Sequence, residues 1–421
     1  MMRILIISRT PWNNSNSFGN TFSNLFGGML EVEIYNICCQ TGSTDNSIVA
    51  KTLQMSESSV VNSLKGRPVA ITESYRETVE SVEKMQVAGK KSRSPLMFMA
   101  RDMIWRVGAH RWKAAVRRFV KEVNPDIIYL PIYGSWYMCD IDGYVIKISK
   151  VPVVGHITDD SYGYASNEQA VSLARLYRMV LRKKLKALIS ECSYIEVFAN
   201  NMKKEYERLF NIPCHVIGKG LLPEDVCKPQ IRQERGEVHF VYTGGIGGER
   251  YSVLMALAKA FSCQSDKKCY LDIYSATPLT DTMKAEMDSV DSIAFHGAVN
   301  GSEVRKIQLD ADYLVHVEGF SKESISATRM SFSTKIPDYL STGNVMLAIG
   351  PADINSIQVL QSRGIAVVVD NLDNLAPTIF RLLNGEIDTS AIQERAYTYI
   401  ITERNKSVIQ AGMLDRLKKL V

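Results

Sequence analysis

Two stretches of this 421-residue chain have residue types and spacing suited to holding an anion. In VHFVYTGGIGGERY an apolar run passes into Gly244, Gly245, Gly247 and Gly248, and then into the helical pattern SVLMALAKAF. Glycine lets backbone approach a ligand closely, and a helix start offers free N–H groups and positive dipole to a phosphate. Arg250 adds a guanidinium fork that matches a diphosphate. A dinucleotide fingerprint would need a third glycine where Arg250 stands, so a nicotinamide or flavin enzyme is disfavoured. The plain alternative is a turn that only packs strand on helix. In MSFSTKIPDYLSTGNVMLAIGP, Ser333, Thr334 and Lys335 open a short helix where N–H groups and an ammonium could meet phosphate. Asp338 follows one turn on, and a carboxylate accepts the two hydroxyls of a ribose diol well. Here the alternative is a capped helix with Asp338 paired to a nearby base.

A second set of candidates lies in the first half. His156 ends the run VPVVGH and precedes ITDDSYGY, so it is expected to project from the C-terminal edge of a sheet, where ligands collect in open α/β folds. Asp159 or Asp160 could orient His156, contact an acceptor, or merely cap a helix. The pair is not a DxD motif, and no metal is predicted. Charge on a leaving group would then fall to Arg250, Lys335 and helix dipoles. IISRTPWNNSNSFGNTFSNLF places Gly19 in a polar loop after the first strand.

The elements that must position these residues follow an alternation of β-branched runs and helical patterns. Runs at 4–8, 32–37, 127–130, 153–156 and 195–198, and again at 270–274, 293–295, 313–317, 345–348 and 365–369, predict βαβ units and parallel sheets buried on both faces. Residues 41–95 lose the pattern and are expected to be irregular or mobile. The expected organisation is a domain over 1–220, a Pro- and charge-rich linker over 221–236, a second domain over 237–390, and closing helices over 391–421. Eight scattered cysteines without CxxC read as reduced core thiols rather than a zinc site or disulfide frame. The opening has no signal-peptide pattern and no run spans a bilayer, so a cytoplasmic protein is expected.

The net charge of +5 hides an asymmetry: residues 1–222 hold 29 Lys/Arg against 20 Asp/Glu, and the remainder 21 against 25. Residues 90–121 carry ten bases with Asp102 as the one acid, and 175–186 carry six bases with none. An apolar stripe through Ile104, Trp112, Val116, Phe119 and Val123 leaves Arg101, Arg106, Lys113, Arg117 and Lys121 largely off it. Such helices suit peripheral contact with an anionic membrane, or are simply solvated faces packed on a sheet. No nucleic-acid module accompanies the charge.

The phrases FSTKIPDYLSTG before an apolar strand and GP, the TGG turn, and VVGHITDD resemble retaining GT-B glycosyltransferases related to glycosyltransferase family 4, of the bacterial surface polysaccharide type. The likeness runs through nearly the whole chain and is most specific over 315–351. It implies an α/β GT-B fold, with two Rossmann-like domains facing across a cleft that holds the donor, and a final helix crossing back to the first domain. Arg250 and Lys335 would contact the phosphates of a nucleotide diphosphate sugar, a substrate rather than a cofactor. Asp338 would bind the ribose, and the segment ending at Val299 the base. The Gly19 loop would face them, and His156 would lie near the transferred sugar. A glycan or polyprenyl-linked glycan would be the acceptor. One departure stands out: the acid expected eight residues before Asp338 is Met330, for which Glu318 or Glu323 could substitute. A GT-B-shaped sugar-nucleotide epimerase and a non-catalytic nucleotide-sugar-binding scaffold are the alternatives.

Overall fold

In the computed structural model, the described residues are all but 14–15, 43, 45, 65–71, 76–94, 164–171, 230–235 and 262–266. The chain divides into two units, residues 1–218 with 409–421, and residues 219–408.

Short runs of Ile, Val and Leu form the strands because a parallel strand is covered on both faces and needs apolar residues on each. In the first unit β1 (Met2–Ser8), β2 (Val32–Cys38), β3 (Val49–Gln54), β4 (Thr72–Tyr75), β5 (Ile127–Pro131), β6 (Val153–Ile157), β7 (Tyr194–Val197) and β8 (Cys214–Val216) form one sheet in the order β4-β3-β2-β1-β5-β6-β7-β8. All neighbours are parallel except β3 with β4. Ile4, Leu5, Ile6 and Ile7 have no exposed surface, which marks β1 as the centre of this core.

Residues 41–95 were expected to be irregular, and the described part corrects this. Strand β3 pairs with β2 in parallel, and a helix over Glu57–Leu64 precedes β4. The strand escapes an apolar pattern because its polar side chains are satisfied where they are buried. Lys51 reaches Glu122 at 2.5 Å, and the Gln54 amide donates to the Gly42 carbonyl at 3.0 Å. Lys90, Lys91 and Arg93 of the basic stretch, and Cys263, lie outside the described residues.

The second unit holds β9 (Glu237–Thr243), β10 (Lys268–Tyr274), β11 (Ile293–Gly297), β12 (Tyr313–Val317), β13 (Val345–Ile349) and β14 (Val367–Val369) in the all-parallel order β11-β10-β9-β12-β13-β14. Phe240, Leu254, Leu257, Leu271, Val315 and Leu347, each without exposed surface, knit this sheet to the helix Arg250–Phe261. In both sheets the chain builds outward over its early strands and then returns to the centre. The resulting switch points lie between β1 and β5 and between β9 and β12, where doubly wound folds bind ligands at the C-terminal strand ends.

The helix Thr389–Glu403 belongs to the second unit, burying Ile392, Ala396, Tyr399 and Ile400. Beyond it, residues 409–421 pack with the first unit. The Gln410 amide donates to the carbonyls of Asn24, Leu25 and Gly27, capping the helix Ser17–Phe26, and Met413 and Leu417 are fully buried. Among the described residues no helix is long and apolar enough to cross a membrane, and the seven described cysteines are free thiols, six of them buried.

Candidate functional site

The switch point of the second sheet gathers most of the anion-binding candidates. Strand β9 ends at Thr243 and the chain turns through Gly244 at φ +146°, a conformation that side chains rarely adopt. A Cβ at Gly244 would also collide with the Lys335 ammonium, so the missing side chain is what admits that charge. The Gly244 N–H is bound to the Tyr274 carbonyl at 2.9 Å. Gly245, Gly247 and Gly248 are exposed, and their N–H groups make no hydrogen bond among the described residues. Glu249, held at φ +66°, accepts the Ser321 N–H at 2.9 Å and ties this turn to the segment after β12.

Arg250, the first residue of its helix, donates to Glu318 at 3.2 Å. Glu318 directly follows β12, and its carboxylate is buried. Burial alone would raise its pKa, but His316, 3.4 Å away, and Arg250 hold it below the usual carboxylate value. The guanidinium pKa is raised: burial opposes its charge, and Glu318 more than compensates. Lys335 stands 5.2 Å over the Tyr242 ring. Burial, then the like charge of Arg250, bring its pKa down to about 8, with Glu318 pulling the other way. Two cations thus lie beside a glycine turn, Arg250 bonded to Glu318 and Lys335 against Gly244. A second anion would complete the set.

The helix Lys335–Leu340 is fixed to β9 from beneath. The Tyr339 hydroxyl accepts the Thr243 N–H at 2.9 Å and lies 3.0 Å from the Thr243 hydroxyl, to which Gln308 also donates at 2.9 Å. Arg305 donates to the carbonyl of Asp338 at 3.2 Å and to the Ser341 hydroxyl at 2.9 Å, closing the helix's end. Asp338 itself is paired with Lys219, which lies 2.6 Å from Oδ1 and 2.7 Å from Oδ2. The Ser333 hydroxyl accepts the Lys335 N–H at 3.4 Å, and Thr334 makes no side-chain cap. Val299 is half-buried after β11, which is separated from β9 by β10 and so lies two strand spacings away, about 10 Å. Met330 is buried, while Glu323 is exposed. Of the two acids considered as substitutes, Glu318 is the one that meets Arg250.

Two candidates of the first unit, Gly19 and His156, differ from expectation, and Asp160 takes the capping alternative. Gly19 is not in a loop: it sits in the first turn of the helix Ser17–Phe26, because Asn16 caps that helix and Phe22, Leu25 and Phe26 supply its buried face. Its N–H is taken by Asn16 at 2.8 Å and is not free for a phosphate; the glycine is needed because the Asn13 backbone packs against it. Asp160 is a turn cap, accepting from the Gly163 N–H at 2.7 Å and the Tyr206 hydroxyl at 3.0 Å. His156 does not project from the strand end. It lies within β6 at 1% exposure, its ring 5.0 Å from Phe22 and 5.3 Å from Phe198. Burial drops its pKa to about 3, so the imidazole is neutral. Its Nδ1 is 2.8 Å from the Tyr129 hydroxyl, which donates to Glu196 at 2.5 Å, and Glu196 in turn receives Arg416 at 2.7 Å. Asp159 is exposed.

Sequence reasoning missed Lys219, Tyr242, Glu249 and Tyr339. Lys219 stands in the short phrase GKG, its one signal. The others act through strand register and turn geometry, which leave no motif.

No protein-family model matches the sequence, and no curated protein matches it. Solved structures do. Sucrose-phosphate synthase from Thermosynechococcus elongatus superposes with a TM-score of 0.66 at 12% identity, over 100% of this chain and 99% of that one. HepE from Anabaena, in a complex with UDP-glucose, gives 0.66 at 11% identity over 100% of both chains. An α,α-trehalose-phosphate synthase (UDP-forming) from Burkholderia xenovorans gives 0.62 at 10% identity, over 99% of this chain and 100% of that one. Likeness at such identity is a likeness of fold. The fold is GT-B, with two Rossmann-like domains in one chain.

Proposed function

We propose that the chain transfers a sugar from a nucleoside diphosphate sugar to a hydroxyl of a glycan or lipid-linked glycan, with retention of configuration and without a metal. The observation that carries this is the placing of the Lys335 ammonium against the Gly244 turn, with Arg250 held by the buried Glu318 at the start of the next helix. A bound diphosphate would satisfy the surplus positive charge and the exposed N–H groups of Gly245, Gly247 and Gly248. As the sugar leaves, Arg250 and Lys335 would stabilise the charge gathering on the departing phosphate, the usual large term in such transfers. The departing phosphate would take the acceptor's proton on the same face. The ribose diol would compete with Lys219 for Asp338, and the base would lie toward Val299.

HepE, similar in fold, forms complexes with UDP and with UDP-glucose, which favours a uridine donor. The acceptor is assigned to the first unit, where Asp159 is the exposed carboxylate after β6. His156 supports that strand end from inside. The same reading has the chain work in polysaccharide or glycoconjugate assembly beside an anionic membrane, where a lipid-linked acceptor would be held.

A thermal-shift panel of nucleotide sugars tests the proposal, because a ligand bound to the native state raises the unfolding midpoint by mass action. At least one nucleoside diphosphate sugar should stabilise the chain, and Arg250→Gln and Lys335→Gln should each abolish the shift. A panel in which no nucleotide sugar moves the wild-type midpoint would sink the reading.

A further inference from the structure

The helices Pro95–Val107 and Ser172–Ser190 of the first unit pack together through their polar and aromatic residues. The Tyr177 hydroxyl donates to Asp102 at 2.8 Å, and the Phe98 and Tyr177 rings lie 6.4 Å apart. Arg101 is buried against Asp102 at 3.1 Å and lies over the Tyr137 ring at 4.7 Å, contrary to the expectation that it faces solvent. Asp102, the one acid of this basic stretch, is therefore spent inside the fold.

What faces outward is apolar and basic. Leu96, Met97, Met103, Val107, Leu176 and Met179 are each more than half exposed, and they are six of the nine large apolar side chains so exposed in this unit among the described residues. The Phe98 and Tyr177 contact puts Leu96, Met97, Met103, Leu176 and Met179 within about a turn and a half of that contact, so they form a cluster rather than the scattered exposure normal for a surface. On the second helix the exposed positions Arg175, Leu176, Met179, Arg182, Lys183 and Lys186 recur at three- and four-residue spacing, and residues 172–190 contain no acid.

We propose that this two-helix face seats on an anionic phospholipid surface, with Leu96, Met97, Met103, Leu176 and Met179 below the headgroups and the Arg and Lys side chains among the phosphates. Each component has a use there. Apolar side chains gain by leaving water, and long basic ones reach the headgroup layer with their stems covered. A nucleic acid would use the cations and leave the methionines in water. The proposal deepens the membrane part of the function proposed above and needs no donor to be bound.

Flotation of the full chain with vesicles tests it. The wild type should float with equimolar phosphatidylglycerol and phosphatidylcholine at low salt, and not with phosphatidylcholine alone. Each Lys or Arg near such a surface contributes about fivefold in affinity, so Arg182→Glu with Lys183→Glu should weaken flotation by at least about 25-fold. Leu176→Ser with Met179→Ser should weaken it about tenfold or more and make the remainder fully sensitive to salt. Absence of flotation by the wild type would overturn the proposal. So would equal flotation by the Ser variant, which would show contact by charge alone, or retention on duplex DNA without flotation. An unchanged thermal shift with a nucleotide sugar shows that the variants are folded. Flotation by a wild type that no nucleotide sugar stabilises would leave this inference standing and the transfer reading fallen.

Discussion

At the scale of single residues, the decisive quantity is the charge state of Lys335. Its pKa of about 8 means that the ammonium holds its proton only loosely above neutrality. The diphosphate of a nucleotide sugar does not itself titrate between pH 7 and 9, so its affinity should follow that proton. Affinity is expected to weaken about tenfold from pH 7 to pH 9, and Lys335→Arg, always charged, should flatten the profile. Isothermal titration at the two pH values decides this; a flat wild-type profile refutes it. His156 shows the opposite case, a titratable residue whose place is structural. A neutral imidazole walled in by Phe22, Phe198 and Tyr129 is part of a core. His156→Ala should cost about 2–4 kcal/mol, from the cavity and from the partner that Tyr129 loses. Urea unfolding measures it, and a loss of turnover at unchanged stability would return His156 to a direct role.

At the scale of elements, the site depends on how β9 and the helix Lys335–Leu340 are joined. Tyr339 is the joint, since its hydroxyl meets both the N–H and the side chain of Thr243, one residue before Gly244. Tyr339→Phe leaves that buried N–H without a partner and should cost about 1–3 kcal/mol. It should also weaken nucleotide-sugar binding, because Gly244 and Lys335 are no longer held in one frame. Binding at wild-type affinity in a destabilised Tyr339→Phe protein would show that the joint serves stability alone. The helix was legible in FSTKIPDYL and the turn in TGGIGG. The bond between them joins residues 96 apart, and no spacing rule reports it.

At the scale of the whole molecule, the chain's end is part of its first unit. Arg416 is the counter-ion of Glu196, whose carboxylate has no exposed surface and whose pKa is raised by burial, against the pull of Arg416 and Tyr129. Arg416→Ala should cost about 2–4 kcal/mol at pH 7. A raised carboxyl pKa stabilises the fold at low pH, below the unfolded value, and this is lost as pH rises through the folded one. Removing Arg416 raises it further, so the variant should lose more at pH 7 than at pH 5; equal losses in urea unfolding at both would exclude a buried charge as the cause. The sequence by itself determined the α/β alternation, the parallel strands and the glycine turn with Arg250, because apolar period and turn chemistry are local. Only the tertiary structure decided that Glu318 faces Arg250, that Lys219 holds Asp338, that Gly19 and Asp160 serve their own turns, and that His156 lies inside. Burial and pairing across a sheet depend on strand order and on partners far along the chain, and these emerge only when the strands are packed.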